Sequence, residues 1–251
     1  MAAIDLNGDL GALHRHSSPG DDEALLDLLT SVSVACGVDA GCPSSMRRVC
    51  RAAADRHVTI GAQVSYPVPV GAGRRGVDPS ELRDAVLYQL GALDGFAQVA
   101  GTGVGYLKPH GALYDACIGV PEHAEAVVEA AHEFDPAMAV LGAAGSPLLA
   151  VADALGMEPV EEVFADRTYL ADGSPVRTSA PGAFVTDAAT IADRAVSIAA
   201  EHRLLAADGT AIDTRARSIC IQGEPRAAIA LAGVVRAGLE AASVGVYAFA
   251  V

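Results

Sequence analysis

The sequence predicts an α/β fold, a single irregular (β/α) barrel domain over residues 1–251 with about seven to eight mostly parallel strands. Short apolar segments alternate with helical repeats and no linker interrupts them, as in right-handed βαβ units. Hydrophobic residues make up 51% of the chain and aromatic residues only 4%, which suits aliphatic helices packed on a parallel sheet. Polar side chains follow nearly every strand, and only a closed barrel brings all strand ends to one mouth, whereas an open sheet gathers function at one switch point.

The composition excludes several classes of protein. A net charge of −14 argues against nucleic-acid binding, because a phosphate backbone requires a basic face. No apolar run approaches the roughly 20 residues of a membrane helix, and the first residues lack a secretory-signal pattern. We therefore expect a cytoplasmic protein without membrane contact. The five cysteines have no regular spacing and no CxxC pair, which predicts reduced thiols instead of a disulfide framework or zinc ribbon.

The first strand is predicted over residues 3–6 and leads into Asn7 and Asp9. These two residues lie two positions apart, so on an extended chain they face the same side. An Asx turn that leaves the strand is the alternative interpretation. Ser18 and Pro19 then provide an N-cap and a first helical residue, followed by a leucine-rich helix.

The second and third strands are predicted over residues 32–35 and 58–62, with a helix over 43–56 between them. Asp39 follows the second strand inside a glycine-rich turn that brings backbone close to a ligand, and Gln63 follows the third. A glycine-rich loop then carries Arg74 and Arg75, which would serve as a lid or anion clamp. A solvated basic turn is the alternative for that loop.

The fourth strand, predicted over residues 104–107, ends at Lys108 and His110. Lys108 is the only lysine in the chain, while the other sixteen basic side chains are arginine. A coding bias towards arginine explains the ratio, but retention of one lysine indicates that an ammonium is needed there. His110 is the side chain type whose ordinary pKa lies closest to physiological pH. Both residues leave a strand where barrel enzymes place their chemistry; a solvated lysine and a helix-capping histidine are the alternative.

The remaining elements continue the alternation to the end of the chain. Asp166 and Arg167 leave one of these strands, either as an orienting pair or with Arg167 holding a substrate carboxylate; a surface ion pair is the alternative. Gln222 and Glu224 follow another strand. Further helices are predicted from Asp78 onward and over residues 121–134, 146–155, 187–202 and 226–242. Further strands are predicted over residues 138–141, 159–164, 218–221 and 244–249. A hairpin-like excursion with an Asp-Gly turn is predicted over residues 169–177.

The polar residues at the strand ends indicate hydrolysis of a small acidic substrate. The chain has no GxxxxGK[ST] phosphate loop, no GxGxxG after the first strand and no HExxH, so nicotinamide binding and a histidine-rich metal centre are disfavoured. Asp9, Asp39 or Glu224 would act as general base towards water. Lys108 or His110 would donate a proton or stabilise the oxyanion.

Four stretches resemble the LamB/YcsF family, which comprises the A-type subunits of 5-oxoprolinase. They are residues 4–11 (IDLNGDLG), 35–37 (ACG), 108–114 (KPHGALY) and 162–167 (EVFADR). The resemblance implies a polysaccharide-deacetylase-like irregular barrel. It also implies ATP-dependent opening of the lactam of 5-oxo-L-proline to glutamate, together with B- and C-type 5-oxoprolinase subunits as partners, with ATP bound here or on a partner. No metal is predicted, and self-association into a homo-oligomer is left open.

The chain departs from the family pattern at several strand ends. Gln63, Val64 and Gln222 occupy positions where the family has His, Pro and His, Asp39 replaces His, and Glu224 replaces Asp. Ala12 and Cys42 also replace acidic residues. Because glutamine neither shuttles protons nor binds transition metals well, these departures predict a remodelled site, with Asn7, Gln63, Arg74, Arg75, Asp166, Arg167 and Gln222 as its substrate-binding residues.

Three hypotheses follow from the sequence. The first is a hydrolase similar to the A-type subunit of 5-oxoprolinase, which would act on 5-oxo-L-proline or a related small amide. The second is a diverged paralogue that serves as a non-catalytic binding or assembly component. The third is a carbohydrate-deacetylase-type hydrolase, which the lack of paired strand-end histidines disfavours.

Overall fold

The computed structural model describes residues 2–12, 19–67, 77–177, 179–223 and 225–250. Seven parallel strands close into a barrel in the order β1-β2-β3-β4-β5-β6-β9, with β9 pairing back onto β1. The strands of the chain are β1 Ala3–Leu10, β2 Ser31–Ala35, β3 Thr59–Val64, β4 Val104–Pro109, β5 Ala139–Ala143, β6 Glu158–Phe164, β7 Arg203–Leu205, β8 Ala211–Asp213, β9 Ser218–Ile221 and β10 Gly245–Val246. The predicted closed barrel is confirmed.

The helices cover the outside of the barrel and bury their apolar faces against the strands. They are α1 Pro19–Leu26, α2 Pro43–Ala54, α3 Pro79–Val99, α4 Ala112–Gly119, α5 Pro121–Phe134, α6 Pro147–Ala154, α7 Ala188–Glu201 and α8 Pro225–Ala241. Each of these begins with proline or alanine, and Asp78 and Asp187 cap α3 and α7 through their carboxylates, as N-cap residues do. In the part of the chain that the structure describes, no helix has the length and apolar character needed to cross a membrane.

Alternation along β1 separates a polar interior from an apolar exterior. Ile4 and Leu6 face the helices within the hydrophobic core, whereas Asp5, Asn7 and Asp9 face the barrel axis. Contact across the interior establishes this orientation, because Asn7 on β1 meets Lys108 on β4, three strands away around the wall. The period-two rule applied to residues 7 and 9 therefore holds, and the alternative of an Asx turn at Asn7 is wrong.

An aromatic plug closes the N-terminal end of the barrel. Tyr106 points inward and packs edge-on against Phe249, with ring centroids 5.0 Å apart. Gly61 makes room for it, since a Cβ at that position would lie 2.2 Å from the Tyr106 ring. Thr59 donates from Oγ1 to the carbonyl of Ala250 at 2.9 Å, which fixes the chain end against the barrel. The interior is thus sealed at this end, and its polar groups face the opposite, C-terminal end.

Several strands are longer than predicted, and the extensions carry polar residues. β1, β3 and β4 reach Leu10, Val64 and Pro109, so Asn7, Gln63 and Lys108 lie inside strands and not after them. The predicted limits treated a polar residue as the end of a strand, which fails because the barrel interior itself is polar here. By contrast, α5 and β9 match their predicted ranges.

The region between β6 and β9 differs most from the prediction. The Asp-Gly hairpin is confirmed, with Tyr169 bridging Pro175 and Leu170 bonded to Ser174. A second antiparallel hairpin in this region, β7–β8, was not predicted. Elsewhere, α4, which lies between β4 and β5, was not predicted either. The predicted last strand over 244–249 is reduced to Gly245–Val246. It is short because β10 pairs only with the first two residues of β1, and from Asp5 onward β1 pairs with β9 instead.

A candidate active site at the C-terminal end of the barrel

The site is built around the buried ammonium group of Lys108, whose side chain is only 2% exposed. Its Nζ lies 2.9 Å from Glu162 Oε2 and 3.4 Å from Asp9 Oδ1. The same nitrogen donates to Asn7 Oδ1 at 3.1 Å and to Cys220 Sγ at 3.2 Å. Four strands, β1, β4, β6 and β9, therefore meet at this one group.

A second layer of polar groups lies beneath the ammonium and orients its partners. Asn7 donates from Nδ2 to Ser218 Oγ at 2.7 Å and to Glu162 Oε2 at 3.3 Å. Ser218 in turn donates to the carboxylate of Asp5, which also accepts from Thr30 Oγ1 at 2.6 Å and from Ser31 Oγ at 2.9 Å. Because these donors come from neighbouring segments of the wall, the network fixes the amide of Asn7 and, through it, the acceptor facing Lys108.

The mouth above Lys108 carries Asp9 and His110, which are more exposed than the ammonium. The side chains of Asp9 and His110 are 16% and 33% exposed, and Asp9 Oδ2 lies 3.8 Å from His110 Nδ1. Gln63 Nε2 lies 2.6 Å from the same Nδ1, so with the amide donating, Nδ1 is the acceptor. Gln222 donates to Asp9 Oδ2 at 3.4 Å. Two glutamine amides thus flank the carboxylate and the imidazole.

Electrostatics keep Lys108 charged. Burial is the largest single influence and lowers the pKa of Lys108, but the carboxylates of Asp9 and Glu162 outweigh it and hold that pKa well above its usual range. The pKa of the Cys220 thiol is raised well above its usual value, chiefly by burial, so this thiol stays protonated. An ammonium held in this way acts through its charge and its N–H groups, and not as a nucleophile.

Three buried polar atoms of the cluster have no hydrogen-bond partner within the described part of the chain. They are Gln63 Oε1, Glu162 Oε1 and the hydroxyl oxygen of Tyr114. Burial and the charge of the Glu162 carboxylate raise the pKa of Tyr114 well above its usual range. Unpartnered buried polar groups are rare in folded proteins and are often associated with function.

The structure brings Asn7, Asp9, Gln63, Lys108, His110 and Gln222 together, as expected for one mouth. It does not bring Asp39 into contact with them: this side chain is exposed, and its backbone amide donates to Ser65 Oγ at 3.3 Å. The Arg167 guanidinium donates to the carbonyl of Val176 at 2.6 Å and lies over two phenylalanine rings. Asp166 is partly buried, and burial raises its pKa.

Three predicted site residues, Arg74, Arg75 and Glu224, lie outside the described residues. Five residues of the cluster were not predicted as site residues: Asp5, Tyr114, Glu162, Ser218 and Cys220. A signal was present for two of them, because Asp5 lies two positions before Asn7 and Cys220 two before Gln222 on the inward-facing side. The same period-two rule applied inside each strand, and not only at its end, finds them.

A surface cavity of about 550 Å³ lies at the other end of the barrel, beside the N-terminal ends of β3, β4 and β5. Its lining includes Asp55, His57, Thr102 and Asp135, which lie away from the Lys108 cluster. We assign the chemistry to the Lys108 cluster because buried, paired titratable groups concentrate at functional sites. Among the described residues, no three His, Cys, Asp or Glu side chains are grouped so that they could hold a metal ion.

The geometry supports general acid-base chemistry at a polarised carbonyl. Asp9 and His110 lie at the mouth, where a water molecule has access, and Lys108 presents a fixed positive charge directly below. A carboxylate or imidazole next to a fixed cation is the arrangement that activates water while stabilising a developing oxyanion.

Comparison with known proteins identifies the family. The LamB/YcsF family model matches residues 4–251. The A-type subunit of 5-oxoprolinase from Streptomyces coelicolor is 49% identical over 249 residues, covering 98% of this chain and 100% of the relative. An A-type subunit of 5-oxoprolinase from Agrobacterium fabrum is 44% identical over 252 residues, covering 100% of this chain and 99% of the relative.

A solved structure agrees with the sequence comparison. The lactam utilization protein from Thermus thermophilus superposes with a TM-score of 0.89 at 35% identity, covering 98% of this chain and 100% of that one. The similarity in sequence and in fold thus extends over nearly the full length of both chains. The chain belongs to the LamB/YcsF family.

Proposed function

We propose that this chain is the A-type subunit of an ATP-dependent 5-oxoprolinase and provides the site at which the lactam of 5-oxo-L-proline is opened to give glutamate. Relatives that are named as 5-oxoprolinase subunits of this type match it over their full length at 44–49% identity, and a structural relative is named a lactam utilization protein. The observation that carries the proposal is the buried Lys108 ammonium at the C-terminal mouth of the barrel, between Asp9 and Glu162.

Lys108 stabilises the negative charge that forms on the lactam oxygen when water attacks the carbonyl carbon. Its positive charge is fixed by the surrounding acceptors before substrate arrives, and preorganised charges of this kind contribute large rate effects. Because its pKa is held well above the usual range, it remains an ammonium at neutral pH and does not serve as the proton donor.

Asp9 and His110 handle the protons of the reaction. Asp9 lies at the mouth with a side chain 16% exposed, 3.8 Å from His110 Nδ1, and accepts a proton from the attacking water. His110 returns a proton to the ring nitrogen as the C–N bond breaks, since an imidazole works as donor and acceptor near neutral pH. The products are the free carboxylate and amino groups of glutamate.

The described residues around Lys108 do not form a binding site suited to a polyphosphate. The cation, Lys108, is already paired with two carboxylates, and further negative charge beside Asp9 and Glu162 is unfavourable. ATP would provide the driving force for ring opening, bound either to this chain or to a partner. Arg74 and Arg75, which would suit phosphate recognition, lie outside the described residues.

The partners are proposed from the relatives' names, since an A-type subunit requires at least one other component. Candidates are B- and C-type subunits of 5-oxoprolinase. The test is to purify this chain with the products of its neighbouring genes and to measure glutamate and phosphate released from 5-oxo-L-proline and ATP. We expect both products in equal amounts only when all components are present.

A matched pair of variants links that activity to the site. Asp9→Asn removes the proposed base, and we expect kcat to fall by about a hundredfold or more. Asp39→Asn removes an exposed carboxylate near the same end of the barrel that lies apart from these groups, and we expect turnover to stay within about twofold. If the complete mixture releases no glutamate, or releases it equally well without this chain, the proposed function is wrong.

A non-catalytic binding component is the second candidate, and one observation favours it. Gln63 and Gln222 hold His110 and Asp9 in hydrogen bonds, at positions where the resemblance implies histidine. Glutamine amides occupy the acid-base groups without moving protons. Binding of 5-oxo-L-proline without any turnover in the complete mixture would support this candidate over the first.

A further inference from the structure

We propose that Glu162 is the positioning residue of Lys108, and that the Tyr114 hydroxyl in turn holds the free oxygen of Glu162. This inference rests on the proposed function for its catalytic consequence, but its structural part is independently testable. Neither Glu162 nor Tyr114 takes part in the proton transfers proposed for the reaction.

The first step is that Glu162 is the fixed anchor of the ammonium group. A lysine side chain rotates about four bonds, so only its contacts place the nitrogen. Of the four contacts, the one to Glu162 Oε2 at 2.9 Å is the shortest. The Glu162 side chain is fully buried, whereas Asp9 is 16% exposed at the mouth. Glu162 is therefore the carboxylate that solvent and substrate do not reach.

The second step concerns the charge on Lys108 during the reaction. When Asp9 accepts a proton from water, Lys108 loses one of its two charged partners. Glu162 then remains as the only carboxylate in direct contact within the described residues. A buried ammonium without a carboxylate partner is strongly disfavoured, so Glu162 keeps Lys108 charged at the point where the oxyanion forms.

The third step is the unpartnered edge of Glu162. Oε1 is buried with no partner at hydrogen-bond geometry in the described residues, and the same is true of the Tyr114 hydroxyl. A short-range side-chain contact with Glu162 is among the causes of the raised pKa of Tyr114, so the two groups are neighbours. A phenol is a donor and a carboxylate oxygen an acceptor, so the hydroxyl is suited to hold the free oxygen of Glu162. Tyr114 lies one helical turn after His110, whose carbonyl accepts from its amide, which ties this contact to the mouth.

The chain offers a direct probe of this arrangement. Lys108 is its only lysine, so protein labelled with ¹⁵N at lysine Nζ gives one lysine ammonium signal. A buried, hydrogen-bonded ammonium exchanges its protons slowly, and loss of a partner speeds that exchange. The experiment compares wild-type protein with Glu162→Gln, Glu162→Asp and Tyr114→Phe, recording the Lys108 signal at neutral pH and the thermal midpoint of each.

Two controls match these variants. Glu161→Gln changes the neighbouring residue of the same strand, which faces the opposite side, and Tyr88→Phe removes an exposed hydroxyl on α3. We expect a shifted, faster-exchanging Lys108 signal in Glu162→Gln, partial restoration in Glu162→Asp and a smaller shift in Tyr114→Phe. Signals in Glu162→Gln and Tyr114→Phe that coincide with those of their controls, in folded protein, would overturn the proposal.

The catalytic consequence is measured in the complete mixture with 5-oxo-L-proline and ATP. We expect Glu162→Gln to lower kcat by about tenfold to a hundredfold with little change in KM, because the charge is misplaced only for the transition state. A rise in KM at unchanged kcat contradicts the positioning role. If the wild-type mixture shows no turnover, the proposed function fails, while the Lys108 signal still decides whether Glu162 and Tyr114 position the ammonium.

Discussion

Replacing Asp5 by asparagine tests how a buried carboxylate affects the stability of this barrel. Asp5 is 1% exposed and lies beneath Asn7, where it accepts from three hydroxyl groups. Burial raises its pKa from 3.8 to about 6, although the hydrogen bonds from Ser218, Thr30 and Ser31 work in the opposite direction. The carboxylate form is therefore disfavoured in the fold.

The direction of the pH dependence follows from this raised pKa. Between pH 3.8 and about 6 the folded state keeps a proton that the unfolded chain has lost, so the free energy of unfolding falls as pH rises. Below pH 3.8 this group has no such effect, and above about pH 6 its cost is fully present. A shift of about two units corresponds to roughly 3 kcal/mol, of which about 2 kcal/mol develops between about pH 4.5 and 7.5.

Asp5→Asn removes this titration while keeping the shape of the side chain. The measurement is urea unfolding of both proteins at several pH values between about 4.5 and 7.5. We expect wild-type stability relative to the variant to fall by about 2 kcal/mol across that range. Asp193→Asn, on the exposed face of α7, controls for the loss of one carboxylate. A difference between wild type and Asp5→Asn that is flat with pH, or that rises, would refute the reasoning.

Three further predictions follow. Gly61→Ala places a methyl group 2.2 Å from the Tyr106 ring, and we expect it to lower the free energy of unfolding by about 3 kcal/mol; equal urea midpoints for variant and wild type would contradict the packing. Gln63→His combined with Gln222→His puts imidazoles beside His110 and Asp9, and we expect glutamate release in the complete mixture to rise at least about tenfold; unchanged turnover would contradict the view that the two glutamines limit proton transfer. Hydrogen bonds from neighbouring serines lower the pKa of the Cys42 thiol to about 7, whereas the other four thiols are buried. We therefore expect iodoacetamide to modify Cys42 quickly in native protein and all five thiols after denaturation, as counted by mass spectrometry.

The sequence was sufficient for the fold class and for much of the mouth of the site. Alternating strands and helices define βαβ units, and these close in only a few ways. Lys108, His110 and Asp9 were predicted from their positions at strand ends, and the structure brings them together. Helix limits were close because proline and capping residues act locally.

Strand limits and the depth of the site were harder to predict from the chain alone. A polar residue usually ends a strand, yet here β4 continues through Lys108, because the interior provides acceptors from distant strands. Asp39 has the same local setting as other strand-end residues but lies exposed. Nothing in its sequence neighbourhood separates a strand-end side chain that contacts the Lys108 cluster from one that is exposed to solvent.

The amino-acid order by itself determined a parallel barrel, an acidic net charge and a single ammonium at the end of the fourth strand, since these depend on composition and short-range periodicity. Only the tertiary structure decided that this ammonium lies between Glu162 and Asp9 and above Asn7, Ser218 and Asp5. The contact between Lys108 and Asp9 joins residues 99 positions apart, and that between Ser218 and Asp5 joins residues 213 positions apart. The geometry of these contacts is set by how the sheet closes. Closure, and not local propensity, therefore determines the charge and position of the group on which the proposed chemistry depends.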